Sequence, residues 1–198
     1  RIAANYGTSI FQGDMVAQVT GGTVEVHADG GTVPVVGVFN GVQYTDPTSG
    51  EQVFSNFYPA STNASDIIAF IIDDPMVVFE VQADAAFTIA GVFANYDIVD
   101  NSPVGSTTAG ISHAELDVGT AATTASLPLK ALGVTTNPTN DLTTVTNTGV
   151  VVISKEGLKK MKTQFNATCK TWDTAAGMHD LCCGVSSVAA ICYANETA

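Results

Sequence analysis

The chain has 198 residues, 45% of them hydrophobic and 13% charged, with 19 acids against seven bases and a formal net charge of −12. That composition supports a sizeable core and excludes a disordered chain, and no apolar run approaches the roughly 18 to 20 residues of a membrane helix. So few cations also leave no basic surface of the kind nucleic-acid binding rests on, so neither direct nucleic acid nor membrane is expected among the partners.

The charge is unevenly spread. Residues 1–150 carry 15 acids and two bases, Arg1 and Lys130, whereas residues 151–198 carry four acids and five bases. The four cysteines, Cys169, Cys182, Cys183 and Cys192, all lie near the C-terminal end. Everything before Cys169 must therefore fold without disulfides or thiolate metal sites. No secretory leader is visible at Arg1.

In chain order, the first predicted element is a hairpin, Val16–Val19 and Thr23–Val26 around Thr20-Gly21-Gly22, with Gly-Gly as a candidate two-residue loop. Pro34–Phe39 forms a second strand that meets Asn40-Gly41, the strongest short turn signal of the chain, before Val42-Gln43-Tyr44. Residues 67–72, 76–82, 86–93, 125–134 and 149–153 are further strand candidates, rich in Val, Ile and Phe. Asp73-Asp74-Pro75, Asn101-Ser102-Pro103 with Gly105, and Asn137-Pro138 separate them. Many short strands at this spacing predict an all-β fold, an antiparallel barrel or sandwich, over residues 1–153. The continuous apolar run 67–72 suits a strand buried on both faces or covered by another subunit.

The pattern changes at Ser154. Leu158, Met161 and Phe165 fall on one stripe of an amphipathic helix, with Ser154 as its N-cap, so residues 154–198 read as a partly helical, Cys-containing C-terminal extension.

Candidate chemistry is sparse. On a strand, His113, Glu115 and Asp117 share one face and could hold a divalent cation or an acid/base pair. Ala114, Leu116 and Val118 make the other face apolar, which is the alternation of any half-exposed strand. Asp73-Asp74-Pro75 reads as a strand-ending turn rather than a carboxylate dyad. Cys169, His179, Cys182, Cys183 and Cys192 lack the spacing of a zinc knuckle, leaving disulfides or free thiols as the alternatives to a metal. No G-x-S-x-G, phosphate-cradling loop or dinucleotide fingerprint occurs. No catalytic residue, cofactor or metal is therefore assigned.

The aromatic residues of 39–58 are distinctive instead. Phe39, Tyr44, Phe54, Phe57 and Tyr58 cluster around Tyr-Thr-Asp-Pro-Thr-Ser-Gly in a segment with no lysine or arginine. Part of that cluster is β-core; Tyr44, Phe57 and Tyr58 flank turns, where aromatics anchor interfaces. With Lys159, Lys160 and Trp172 of the extension, these five residues are the candidate interface.

The order of segments carries a resemblance. Phe11-Gln12-Gly13-Asp14-Met15-Val16 is followed by Val36-Gly37-Val38-Phe39-Asn40-Gly41-Val42-Gln43-Tyr44-Thr45-Asp46-Pro47-Thr48-Ser49-Gly50 and Phe57-Tyr58-Pro59. Ile72-Asp73-Asp74-Pro75, Phe79–Asp84, Ser112–Asp117 and Leu127–Gly133 with Asn137-Pro138 come later. Over residues 9–153 this resembles the small β-barrel decoration, or cement, proteins of tailed bacteriophage heads. The resemblance implies a virion protein on the outer surface of the capsid. Its partners would be the major capsid protein and further copies of itself, as a trimer or alternatively a dimer. The extension after residue 154 departs from that family's pattern. A secreted adhesin or surface-layer β-module is the competing expectation, with Asn63-Ala64-Ser65, Asn166-Ala167-Thr168 and Asn195-Glu196-Thr197 as sequons for glycans. A hydrolase built on His113, Glu115 and Asp117 ranks behind both.

Overall fold

A computed structural model describes residues 1–28, 30, 33–74, 77–124, 127–138, 140–141 and 149–154, together with the backbone pairs 181–182 and 193–194. The fold is all-β and antiparallel, as the strand pattern predicts. Two five-stranded sheets face each other. The first contains β1 (Met15–Val19), β2 (Thr23–Val26), β3 (Val35–Thr45), β4 (Gln52–Ser55) and β5 (Ile68–Ile72). The second contains β6 (Phe79–Gln82), β7 (Asn95–Ser106), β8 (Ile111–Ala122), β9 (Leu129–Val134) and β10 (Gly149–Ser154), in the order β6-β10-β9-β7-β8. A short ribbon pairs β11 (Leu181–Cys182) with β12 (Tyr193–Ala194).

β3 organises the first sheet. β1 pairs with its first half, β4 with its last four residues, and β5 runs along the opposite edge. The predicted turn at Asn40-Gly41 is not a turn. β3 continues through it, and the register along β5 shifts between Phe39 and Gly41. Asn-Gly supplies the backbone freedom here for a bulge: Gly41 sits at φ +148, where a Cβ would stand 3.0 Å from the Ser55 carbonyl. Bulged Asn40 is exposed, and its amide oxygen accepts from Gln12 Nε2 at 2.9 Å.

The predicted β1–β2 hairpin forms, but its loop has three residues, Thr20–Gly22, in place of the expected two; Gly21 and Gly22 both have positive φ. β5 ends before Asp73 and Asp74, both exposed, and Val77 N–H donates to the Asp74 carbonyl; Pro75 of the expected turn lies outside the described residues. The expected strand over 86–93 is absent. Phe87 is buried against Tyr96, and Ile89–Gly91 makes a 3-10 turn whose Gly91 carbonyl accepts the Tyr96 hydroxyl at 2.9 Å. β7 also passes through Asn101-Ser102-Pro103, which punctuates it with a register shift between Asp100 and Gly105 instead of ending it.

The second sheet curls without closing. Its end strands β6 and β8 meet at one parallel bridge, Ala83 to Leu116, reinforced by Asp84 Oδ1 accepting Val118 N–H at 2.9 Å. A barrel needs a continuous ladder at that seam, so of the two predicted architectures the structure gives open packed sheets rather than a barrel.

Two apolar layers result. Between the sheets, Met15 and Val35 pack with Phe87, Tyr96, Ile98, Leu116, Leu129, Val150 and Val152. On the outer side of the first sheet, Val16, Phe39, Val42 and Tyr44 lie under a cover made by Ile2 and Ile10 and by Tyr58, Ala64 and Ile67. Phe39 and Tyr58 are fully buried. Burying side chains of this kind contributes about 1.5–3 kcal/mol each. The helix predicted from Ser154, and the rest of the extension apart from the two short strands, lie outside the described residues.

Candidate functional site

The tertiary structure divides the aromatic cluster between core and surface. Phe39 and Tyr58 are fully buried and Tyr44 is 9% exposed, so all three belong to the outer apolar layer and are not available as interface anchors. Phe39 and Tyr44 are an odd number of residues apart, which plain alternation would put on opposite faces; the bulge at Asn40 resets the alternation and brings both to the covered side of β3. Tyr58 is held by reciprocal backbone bonds with Ile10, and its hydroxyl donates to the Tyr6 carbonyl at 3.1 Å. Phe57 is half-buried and stacks on Phe11 at 5.7 Å between centroids. Phe54 alone of the five is open, at 67% exposure.

Phe54 is part of a bare sheet face. It stands directly opposite Gln43 on β4, and Ile68 stands opposite the same Gln43 on β5. Strands lie about 4.8 Å apart, so these two side chains share one row about 10 Å long. Phe70, opposite Gly41, continues the patch on the same face. Ile68 is 41% and Phe70 44% exposed. Farther along this face Val38, opposite Ile72, packs into the inter-sheet core. The second sheet thus covers one end of the face and leaves the other end uncovered. The open apolar area is on the order of 300 Å², the size of the patches that mark interaction sites on single-chain proteins. Asp66 borders it; Thr45 donates to Asp66 through both its backbone N–H and its hydroxyl, at 3.1 and 2.6 Å. Those bonds, the hydroxyl first, hold the Asp66 carboxyl below the ordinary carboxylate range.

A cleft of about 540 Å³ opens where β3 and the loop before β1 meet β6 and β8. Its floor is apolar, from Met15, Val38, Ile98, Leu129 and Val152, and its rim carries Glu80, Gln82, His113 and Glu115. The predicted alternation of β8 holds: Leu116 is buried, Ala114 and Val118 pack on the core, and His113 is exposed. Glu115 accepts from Gln82 Nε2 at 2.7 Å, which ties β8 to β6. Asp117 turns back to accept the Gly119 N–H at 2.9 Å and does not line the cleft. The three side chains therefore do not converge. Among the described residues no group of three or more His, Cys, Asp or Glu side chains is placed to hold a metal ion.

Sequence reasoning missed Phe93. It is 64% exposed, sits at φ +72, and has the Lys130 ammonium 5.8 Å from its ring centroid. A non-glycine residue in this region costs on the order of 1–3 kcal/mol. Two bonds hold it there, Phe93 N–H to Ala131 O at 2.9 Å and Ala131 N–H to Ala94 O at 3.1 Å. A strand pattern cannot reveal an aromatic displayed by a turn. Lys159, Lys160 and Trp172 lie outside the described residues.

No family model matches the chain, and neither a curated protein nor a solved structure matches it.

Proposed function

We propose that the chain is a structural virion protein that binds the outer surface of a tailed-phage head and cements the lattice of major capsid protein. The observation that carries this reading is the bare apolar row Phe54–Gln43–Ile68, with Phe70, on a body otherwise rich in acids. A cementing protein needs a rigid frame, a soluble outward surface and an apolar contact that the folded chain does not satisfy internally. The two-layered β-body supplies the first, the net charge the second and the uncovered face the third. The segment order over residues 9–153 supports the same reading.

Linkage provides the mechanism. A protein that binds only the assembled shell stabilises it by RT ln(1 + [L]/Kd), about 2.7 kcal/mol per site at a hundredfold excess over Kd. Repeated over a symmetric lattice, such contacts oppose the outward pressure of packaged genome. The test is co-sedimentation of the purified chain with heads lacking it, followed by heating with and without the bound protein. Heads that retain it are expected to rupture at a higher temperature; equal rupture temperatures refute the reading.

A further inference from the structure

We propose that β5 pairs edge to edge with β5 of a second copy of this chain, forming an antiparallel two-fold dimer centred on Phe70. The strand edge, not the bare face, makes this contact, whatever the face itself binds. Among the described residues β3 is the sole ladder partner of β5, so the opposite edge of Ile68–Ile72 offers its backbone N–H and C=O groups outward. Proteins commonly blunt such edges with charge, proline or a bulge. β2, β6 and β8, which also end sheets, carry Glu25, Glu80, and Glu115 with Asp117; β4, the other sheet end, has no charge but is a four-residue strand with polar Gln52 and Ser55. β5 reads Ile-Ala-Phe-Ile-Ile, with neither charge nor proline, and is rich in the residue types that favour pairing.

The sequence of the strand is also self-complementary. A two-fold axis at Phe70 sets Ile68 opposite the partner's Ile72, Ala69 opposite the partner's Ile71, and the two Phe70 rings side by side on one face. That is the isologous pairing a dimer requires. It would merge two five-stranded sheets into one of ten strands and bring the two bare faces into a continuous strip.

The area sets the strength. β5 is a short strand, and its Ile68 and Phe70 are only partly open. Such a ladder buries on the order of several hundred Å², below the roughly 1,000 Å² of a self-sufficient interface. The dimer is therefore weak in dilute solution and fills where copies are held close together, as on a shared surface. The same register brings exposed Asp66 toward the partner's Asp74 at both ends of the ladder, a like-charge approach that salt screens.

Sedimentation velocity of the full chain, with its thiols kept reduced, tests this across protein and salt concentrations. We expect a monomer–dimer equilibrium that tightens as salt rises. Phe70→Lys, which places two ammonium groups at the axis, should weaken it at least about tenfold. Phe54→Lys, on the same face but two strands from the edge, should leave it unchanged. Phe70→Cys should form a cross-linked dimer with oxidised glutathione, one disulfide per pair and two glutathione thiols released. Four results overturn the proposal. They are a chain monomeric at every concentration, a trimer, an equilibrium weakened by Phe54→Lys and not by Phe70→Lys, or one that salt loosens.

Discussion

Phe54 and Ile68 stand in register with the same residue, Gln43, from opposite edges of β3. Two strands that follow one another in the chain but are separated in the sheet by β3 thereby place exposed apolar side chains in one row. The outer layer beneath them, Val42, Tyr44, Val53 and Ala69, is packed. The row is left over after the fold has closed, which distinguishes a contact surface from a core.

Phe54→Ser separates contact from stability. Phe54 is among the most exposed apolar side chains of the molecule. The substitution should therefore change the unfolding free energy by about 0.5 kcal/mol or less in urea titrations. The same variant should lose co-sedimentation with heads. Full retention on heads would remove Phe54 from the contact.

Tyr58 predicts the opposite behaviour. Its ring is fully buried in the outer layer. Tyr58→Ala removes that ring and should cost about 3–5 kcal/mol. Tyr58→Phe keeps the ring and removes the hydroxyl, with its bond to the Tyr6 carbonyl. The loss of that bond should cost about 1 kcal/mol. A Tyr58→Ala chain as stable as the parent in chemical denaturation would contradict its place in the core.

Alkaline pH should unfold the protein through its tyrosines. Burial raises the phenol pKa of Tyr44, Tyr58 and Tyr96 above the ordinary 10.0, and Asp46 adds to the effect at Tyr44. The unfolded chain then releases these protons at lower pH than the folded one. Their contribution to stability is complete below pH 10 and declines as pH rises through and beyond that value. Denaturant midpoints measured across this range should fall as tyrosinate absorbance rises. Tyr96→Phe should flatten the fall.

Gly110→Ala tests the turn between β7 and β8. Gly110 sits at φ +71, and a methyl group there would overlap the Asn56 side chain, which donates to the Ala109 carbonyl at 2.7 Å. The substitution should destabilise by more than about 1 kcal/mol, beyond the ordinary cost of alanine in this conformation. Asn56→Gly in the same background should recover part of the loss in thermal melts, because it clears the space.

The sequence by itself determined the class of fold, most of the strands and the inward face of β8. Alternation and turn chemistry act within a few residues, and Ala114-Leu116-Val118 or the β1–β2 hairpin needs nothing more. It did not determine the use made of a local signal. Asn40-Gly41 has the backbone freedom for a turn or a bulge, and only the pairing of β3 with β4 and β5 selects the bulge. Nor could it sort the aromatics: Phe39, Tyr44 and Tyr58 became core because residues 2–10 and 58–67 fold over one side of the first sheet. Phe54 stayed open because the second sheet covers the other side only as far as Val38 and Met15. Burial depends on which distant layers meet, and the long-range packing of the chain decides that.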